Sequence, residues 1–128
     1  MHIDASVIVA ILANEPDRPI WIDRMRTPYK STSPISVLEA SIALSGLTGS
    51  CIAALGEVSR FLALAGIEIL PVGSDVLPEM CVARDRYGKG TGHPARLNLG
   101  DCVSYAMAKK AGVPLLYKGN DFAQTDLA

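Results

Sequence analysis

Apolar residues come in short runs separated by polar breaks, and the spacing inside each run predicts an element. Met1 to Ile3 is an apolar strand stopped by Asp4. Ala5 to Leu12 continues at once as a buried helix that ends before Asn14-Glu15-Pro16. Residues 17 to 26 alternate charge with Ile20, Trp21, Ile22 and Met25 at helical spacing, which predicts an amphipathic helix with Trp21 in the core. Thr27 to Ser33 is a polar link with room for a short strand. Helix formers follow from Pro34-Ile35-Ser36 through Leu44, and Gly46 and Gly49 interrupt them. Ile52 to Ala65 then carries Leu55, Val58, Phe61 and Leu62 on one stripe, closed by Gly66, so the two stretches predict a helical hairpin. Ile67 to Val72 is β-branched and reads as a buried strand, and Asp75 to Tyr87 reads as a helix. Gly88 to Leu99 is a glycine-rich, basic loop. Asp101 to Ala111 is helical, Gly112-Val113-Pro114 stops it, and Leu115 to Tyr117 is a short strand entering Lys118-Gly119-Asn120-Asp121.

Strands separated by helical stretches favour an α/β fold with a parallel sheet covered on both faces. Neither a repeat nor a linker divides the chain, so residues 1–128 are expected to form one domain. At 128 residues, 49% of them hydrophobic, a chain buries roughly two-thirds of its unfolded surface and needs no disulfide or structural zinc. The longest uncharged run, between Glu39 and Glu57, is broken by Gly46, Gly49 and Gly56 and falls short of the roughly 20 apolar residues of a membrane span. Met1-His2-Ile3-Asp4 has no cationic segment ahead of an apolar one, so a cytoplasmic protein without a secretory signal is expected. Cys51, Cys81 and Cys102 are too widely spaced for a metal cluster and read as small buried apolar residues. The net charge of -1, from 12 Lys+Arg against 13 Asp+Glu, does not by itself suggest a nucleic-acid partner.

Chemistry enters with four carboxylates. In open parallel sheets, sites gather outside the carboxyl ends of the strands. Asp4 directly follows the first predicted strand, and Asp121 lies just after the last. Glu39 and Asp101 fall in or at the start of helices, and all four have apolar neighbours. Each acid also has a plain local role: a capping box for Ser36-x-x-Glu39, a helix-dipole contact for Asp101, an N-cap for Asp4 and a turn for Asp121. Taken together, buried carboxylates must be paired, hydrogen-bonded or metal-bound, and few cations stand near them in sequence. An all-oxygen ligand set suits Mg²⁺ or Mn²⁺, and Mg²⁺ held by carboxylates points to phosphodiester chemistry.

Four segments in order, Ile3-Asp4-Ala5-Ser6, Ser36-Val37-Leu38-Glu39-Ala40, the stretch from Tyr87 to Cys102, and Pro114 to Phe122, resemble PIN-domain ribonucleases, in particular VapC-type toxins of toxin-antitoxin systems. The similarity runs over essentially the whole chain. It implies a three-layer α/β/α domain with a mainly parallel central sheet, whose acids bind Mg²⁺ or Mn²⁺ and cut RNA. Matched residue by residue, Asp4, Glu39, Asp101 and Asp121 fall on the family's acidic positions, and Ser6 on the polar position two after the first aspartate. Tyr117-Lys118 replaces the commoner Thr or Ser of the last motif, which leaves Asn120 as a second candidate for the role of Asp121. The resemblance also implies a homodimer and a VapB-type antitoxin laid over the apolar helices between Ala40 and Ala65.

Arg84, Arg86, Lys89 and Arg96 lie within thirteen residues just before Asp101, among Gly88, Gly90 and Gly92, and form a candidate path for RNA phosphates, with Lys118 as a further contact. His93 reads as a loop hydrogen-bonder, and His2 needs no role. Setting the four site acids aside leaves nine acids against 12 Lys+Arg, so the near-neutral total is compatible with RNA. Two other readings compete. A receiver-like phosphoacceptor would need two adjacent acids after the first strand, which Asp4 lacks. A non-cleaving PIN-like module would bind nucleic acid together with its antitoxin.

Overall fold

The computed structural model describes residues 1–128. Its order is β1 (His2–Ile3), α1 (Ala5–Leu12), α2 (Arg18–Arg24), β2 (Lys30–Thr32), α3 (Pro34–Thr48), α4 (Cys51–Ala65), β3 (Ile67–Ile69), α5 (Leu77–Tyr87), α6 (Leu99–Ala111) and β4 (Leu115–Leu116). Single 3-10 turns precede α5 at Ser74–Val76 and follow β4 at Phe122–Gln124. The four strands form one parallel sheet in the order β3-β2-β1-β4, with His2 opposite Ser31 and Leu115. From β1 the chain moves outward to β2 and β3, then returns to place β4 on the other side of β1. That reversal is the switch point beyond which, at the carboxyl ends of the strands, sites gather in open parallel sheets.

Side-chain alternation along the strands makes three layers. Ile3, Ile67 and Leu116 face a core built from α1 to α4, with Val7, Ile8, Ile11, Val37, Leu44, Val58 and Leu62. Leu115 faces the opposite way, into a second core with Leu97, Tyr105 and Phe122, which α5 and α6 cover. The buried His2 bonds Ser31 Oγ through Nδ1 (3.1 Å), while its Nε2 has no partner. Burial lowers its pKa to about 4, so the ring is neutral near pH 7.

Several predicted boundaries move. Ser33, not Ser36, caps α3, with Pro34 at the first helical position. The helix runs through Gly46 and stops only at Gly49, whose φ of +94° ends it in the left-handed region. The chain turns by 115° between α3 and α4, so they form a splayed corner and not an antiparallel hairpin. The expected strand Ile67 to Val72 pairs only as far as Ile69. The expected patternless loop after α5 contains a parallel bridge between Gly88 and Leu97. Of the cysteines expected to be buried, only Cys102 is; Cys51 is half-buried and Cys81 exposed, so they share no packing role. Trp21 lies in the core as expected. No single helix is long and apolar enough to cross a membrane.

Candidate active site

Asp4 stands at the carboxyl end of the central strand, 5% exposed. It is the N-cap of α1, the local role its position suggested: Oδ2 accepts from Ser6 N (3.0 Å) and from Ser6 Oγ (2.6 Å). Oδ1 accepts from Ser104 Oγ (2.7 Å) on α6. Because a carboxylate only accepts, Ser104 must donate there, which sets the direction of the chain behind it. Ser36 Oγ then donates to Ser104 Oγ (3.2 Å), and Ser33 Oγ donates to Ser36 Oγ (3.2 Å). Ser33, Ser36 and Ser104 are at most 1% exposed, so a one-way file of buried hydroxyls ends on Asp4.

Glu39 lies two turns into α3, half-buried, and Ser33 does the capping, so the Ser36-x-x-Glu39 box does not form. Burial raises its pKa first, then the fields of Asp4 and Asp101. Asp101 does take part in a capping box. Its N–H donates to Asn98 Oδ1 (2.9 Å), and its Oδ2 accepts from Asn98 N (2.9 Å). Burial nevertheless pushes its pKa up to about 6, against the Asn98 bond and helped by Asp4 and Asp121. Asp121 is exposed in the turn after β4, at the head of the 3-10 turn and without a side-chain cap bond. Its neighbour Asn120 is exposed as well.

None of the four acids is in an ion pair. Asp4 and Asp101 act on Glu39, and Asp4 and Asp121 act on Asp101, and the all-oxygen donor chemistry of these side chains fits a hard divalent ion. No three His, Cys, Asp or Glu side chains converge in a ready-made ligand set, and Asp4 and one oxygen of Asp101 accept hydrogen bonds from the protein.

The basic residues divide. Arg84 and Lys89 line a cavity of about 530 Å³ with Leu77, Leu97, Asn98 and Leu99, against the first turn of α6. Arg86 and Arg96 are exposed outside that lining, Arg96 at a φ of +51°. Lys118 lies elsewhere: its ammonium is paired with Glu15 and with Asp17, where the turn from α1 to α2 meets β4. The hydroxyl of Ser6, expected at the substrate, donates to Asp4 and accepts from Lys118 N (3.0 Å). Gly88, expected to offer its amide to phosphate, instead donates that N–H to Arg84 O (3.0 Å), and a Cβ there would meet the Arg84 side chain. His93 Nδ1 accepts from Ala95 N (3.1 Å), as a loop hydrogen-bonder should.

The PIN domain family model matches residues 1–127. The chain belongs to the PIN-domain family. Among PIN proteins it is 40% identical to the ribonuclease VapC of Mycolicibacterium smegmatis, over 100% of this chain and 98% of that one. It is 39% identical to a VapC ribonuclease of Rhizobium meliloti (98% and 97% covered) and 38% to ribonuclease VapC42 of Mycobacterium tuberculosis (99% and 96%). Mycobacterium tuberculosis VapC20, described as a sarcin-ricin loop cleaving toxin, shares the fold with a TM-score of 0.74 at 17% identity, covering 95% of this chain and 92% of that one.

The PIN resemblance pointed to the four acids but not to Ser33, Ser36 and Ser104. Ser104 lies three residues after Asp101 on the same helix, a spacing that puts both on one face, and Ser33-Pro34 is a readable helix start. Removing the Ser104 hydroxyl leaves Asp4 Oδ1 and Ser36 Oγ short of a partner in a buried place. Ser104→Ala should destabilise the protein by about 1–3 kcal/mol. Denaturant unfolding measures the loss.

Proposed function

We propose that this chain is a divalent-metal-dependent endoribonuclease of the VapC type, acting as the toxin of a toxin-antitoxin pair. What supports the reading is that Asp4 and Asp101 stand near enough to act on Glu39, and Asp4 and Asp121 on Asp101, with none of the four in an ion pair. VapC ribonucleases match this chain from end to end.

Asp4, Glu39 and Asp101 would hold Mg²⁺, with Mn²⁺ as a substitute, while the exposed Asp121 would orient water or hold a second ion. When bound, the ion supplies Lewis acidity that lowers the pKa of a water and offsets charge growing on the phosphate. The rest falls to the protein. Ser6 and Ser104 keep Asp4 in one orientation. The capping box holds one oxygen of Asp101 and leaves the other free. Arg84 and Lys89 line the cavity beside α6 and would take the flanking phosphates of a single strand. Water oxygen bonds to phosphorus, the bond from phosphorus to the ribose 3′-oxygen breaks, and that oxygen leaves with a proton. The products carry a 5′-phosphate and a 3′-hydroxyl.

Partner binding has its own support. Leu38, Ile42 and Ile52 are 50, 56 and 77% exposed, and Leu38 and Ile52 line an apolar groove of about 490 Å³ with Val37, Leu55 and Ile69. Such a surface suits an antitoxin segment or a second copy of the chain. The decisive assay is cleavage of RNA by protein purified free of antitoxin. Mg²⁺ should be required, EDTA should abolish cleavage and Mn²⁺ restore it. Expression should arrest growth, and Asp101→Asn should lift the arrest. Cleavage that persists in EDTA, or equal cleavage by Asp101→Asn, would sink the assignment.

A further inference from the structure

Gly100 is the second residue of α6, buried between Leu99 and Asp101, and its backbone has no need of glycine, since its φ lies outside the left-handed region. In an ordinary helical position alanine is favoured over glycine by roughly 0.5–1 kcal/mol. What fills the space where a Cβ would stand is the Glu39 carboxylate. A Cβ on Gly100 would lie 2.6 Å from Glu39 Oε2 and closer still to Oε1 and Cδ. The carboxyl group of α3 is therefore seated directly on the α6 backbone, one residue before Asp101. Ser36 and Ser104 join the same two helices through their hydroxyls.

We infer that Gly100 is a positioning residue for the divalent ion: its missing side chain is the seat that lets the Glu39 carboxylate reach the Asp101 side of the site. The inference rests on the assignment of Glu39 and Asp101 as ion ligands. A methyl group at residue 100 pushes the carboxylate off its seat, and the flexible Glu39 side chain yields more readily than two packed helix backbones. The expected damage is thus to ion binding and not to the fold.

Mn²⁺ titration by calorimetry, with thermal unfolding of the same ion-free samples, tests it. Gly100→Ala should keep the melting temperature of wild type or exceed it, and should weaken Mn²⁺ binding by about tenfold or more. In a Glu39→Ala background the same change should have no further effect on Mn²⁺. Glu39→Asp, one methylene shorter, should recover Mn²⁺ affinity when combined with Gly100→Ala. If Gly100→Ala lowers the melting temperature, the Glu39→Ala background decides: disappearance of the penalty there supports the seat, and persistence overturns it. Wild-type Mn²⁺ affinity in Gly100→Ala, or an equal loss with and without Glu39, also overturns it. Unchanged affinity in Glu39→Ala alone would instead remove Glu39 from the ligands, and the underlying assignment would fall with it.

Discussion

Asp4→Asn should lower Mg²⁺-dependent RNA cleavage by about 10²–10³-fold while leaving the fold intact. The fold survives because an asparagine oxygen still accepts from Ser6 N and Ser6 Oγ, and asparagine is as good an N-cap as aspartate. On the other side, the amide NH₂ now faces Ser104 and donates where the carboxylate accepted, so the file through Ser36 and Ser33 can reverse its direction. What disappears is one negative charge at the centre of the cluster. Since the field of Asp4 helps raise Glu39 and Asp101, both pKa values should fall in the variant, Asp101 from about 6. Without a divalent ion, the variant should be no less stable than wild type near neutral pH. Cleavage assays, carboxyl carbon NMR titration and thermal unfolding read these three results. Cleavage within tenfold of wild type would show that Asp4 is structural only.

The second large effect is on pH. Below pH 6 cleavage should fall about tenfold per unit as Asp101 takes up its proton, and more steeply where Glu39 joins it, because ion ligands must be deprotonated. Raising Mg²⁺ should move this acid limb to lower pH, since ion and proton compete for the same oxygens. Stability carries the same information. A carboxyl raised from 3.8 to about 6 binds more protons folded than unfolded, so its contribution is fully present below pH 3.8 and is lost as pH rises through 6. His2 works with the opposite sign: its pKa is lowered from 6.5 to about 4, so its contribution is present above 6.5 and lost as pH falls through 4. The two offset each other in the ion-free protein. The increase in melting temperature on adding Mg²⁺ isolates the carboxylates and should be large at pH 7.5 and small at pH 5. An increase of equal size at both would mean that the ion binds elsewhere.

The sheet order depends on which strands pair, and the parallel class was legible because strands alternate with helices. Leu115 and Leu116 face opposite cores, however, and only the tertiary structure says which core each joins. Misplaced boundaries arose where local signals compete. Ser36-x-x-Glu39 matches a capping box, yet Ser33-Pro34 starts the helix three residues earlier and leaves Glu39 without a capping role. Gly46 looks like a break, but a single glycine costs a helix only about 1 kcal/mol, which packing against α4 overrides. Lys118 reads as a cation free for phosphate, because its partners Glu15 and Asp17 lie about a hundred residues away in sequence.

By itself, the sequence determined the family and the parallel α/β class and singled out four acids as candidates, because these depend on residue type, order and period. Tertiary structure decided what those acids meet. It set Ser104 and Ser6 on either side of Asp4, seated the Glu39 carboxylate on Gly100, and left Arg84 and Lys89, but not Lys118, beside the first turn of α6. Contacts between residues up to 112 positions apart have no local signature. They are selected by which faces of the helices the sheet brings together, and only the folded chain shows that choice.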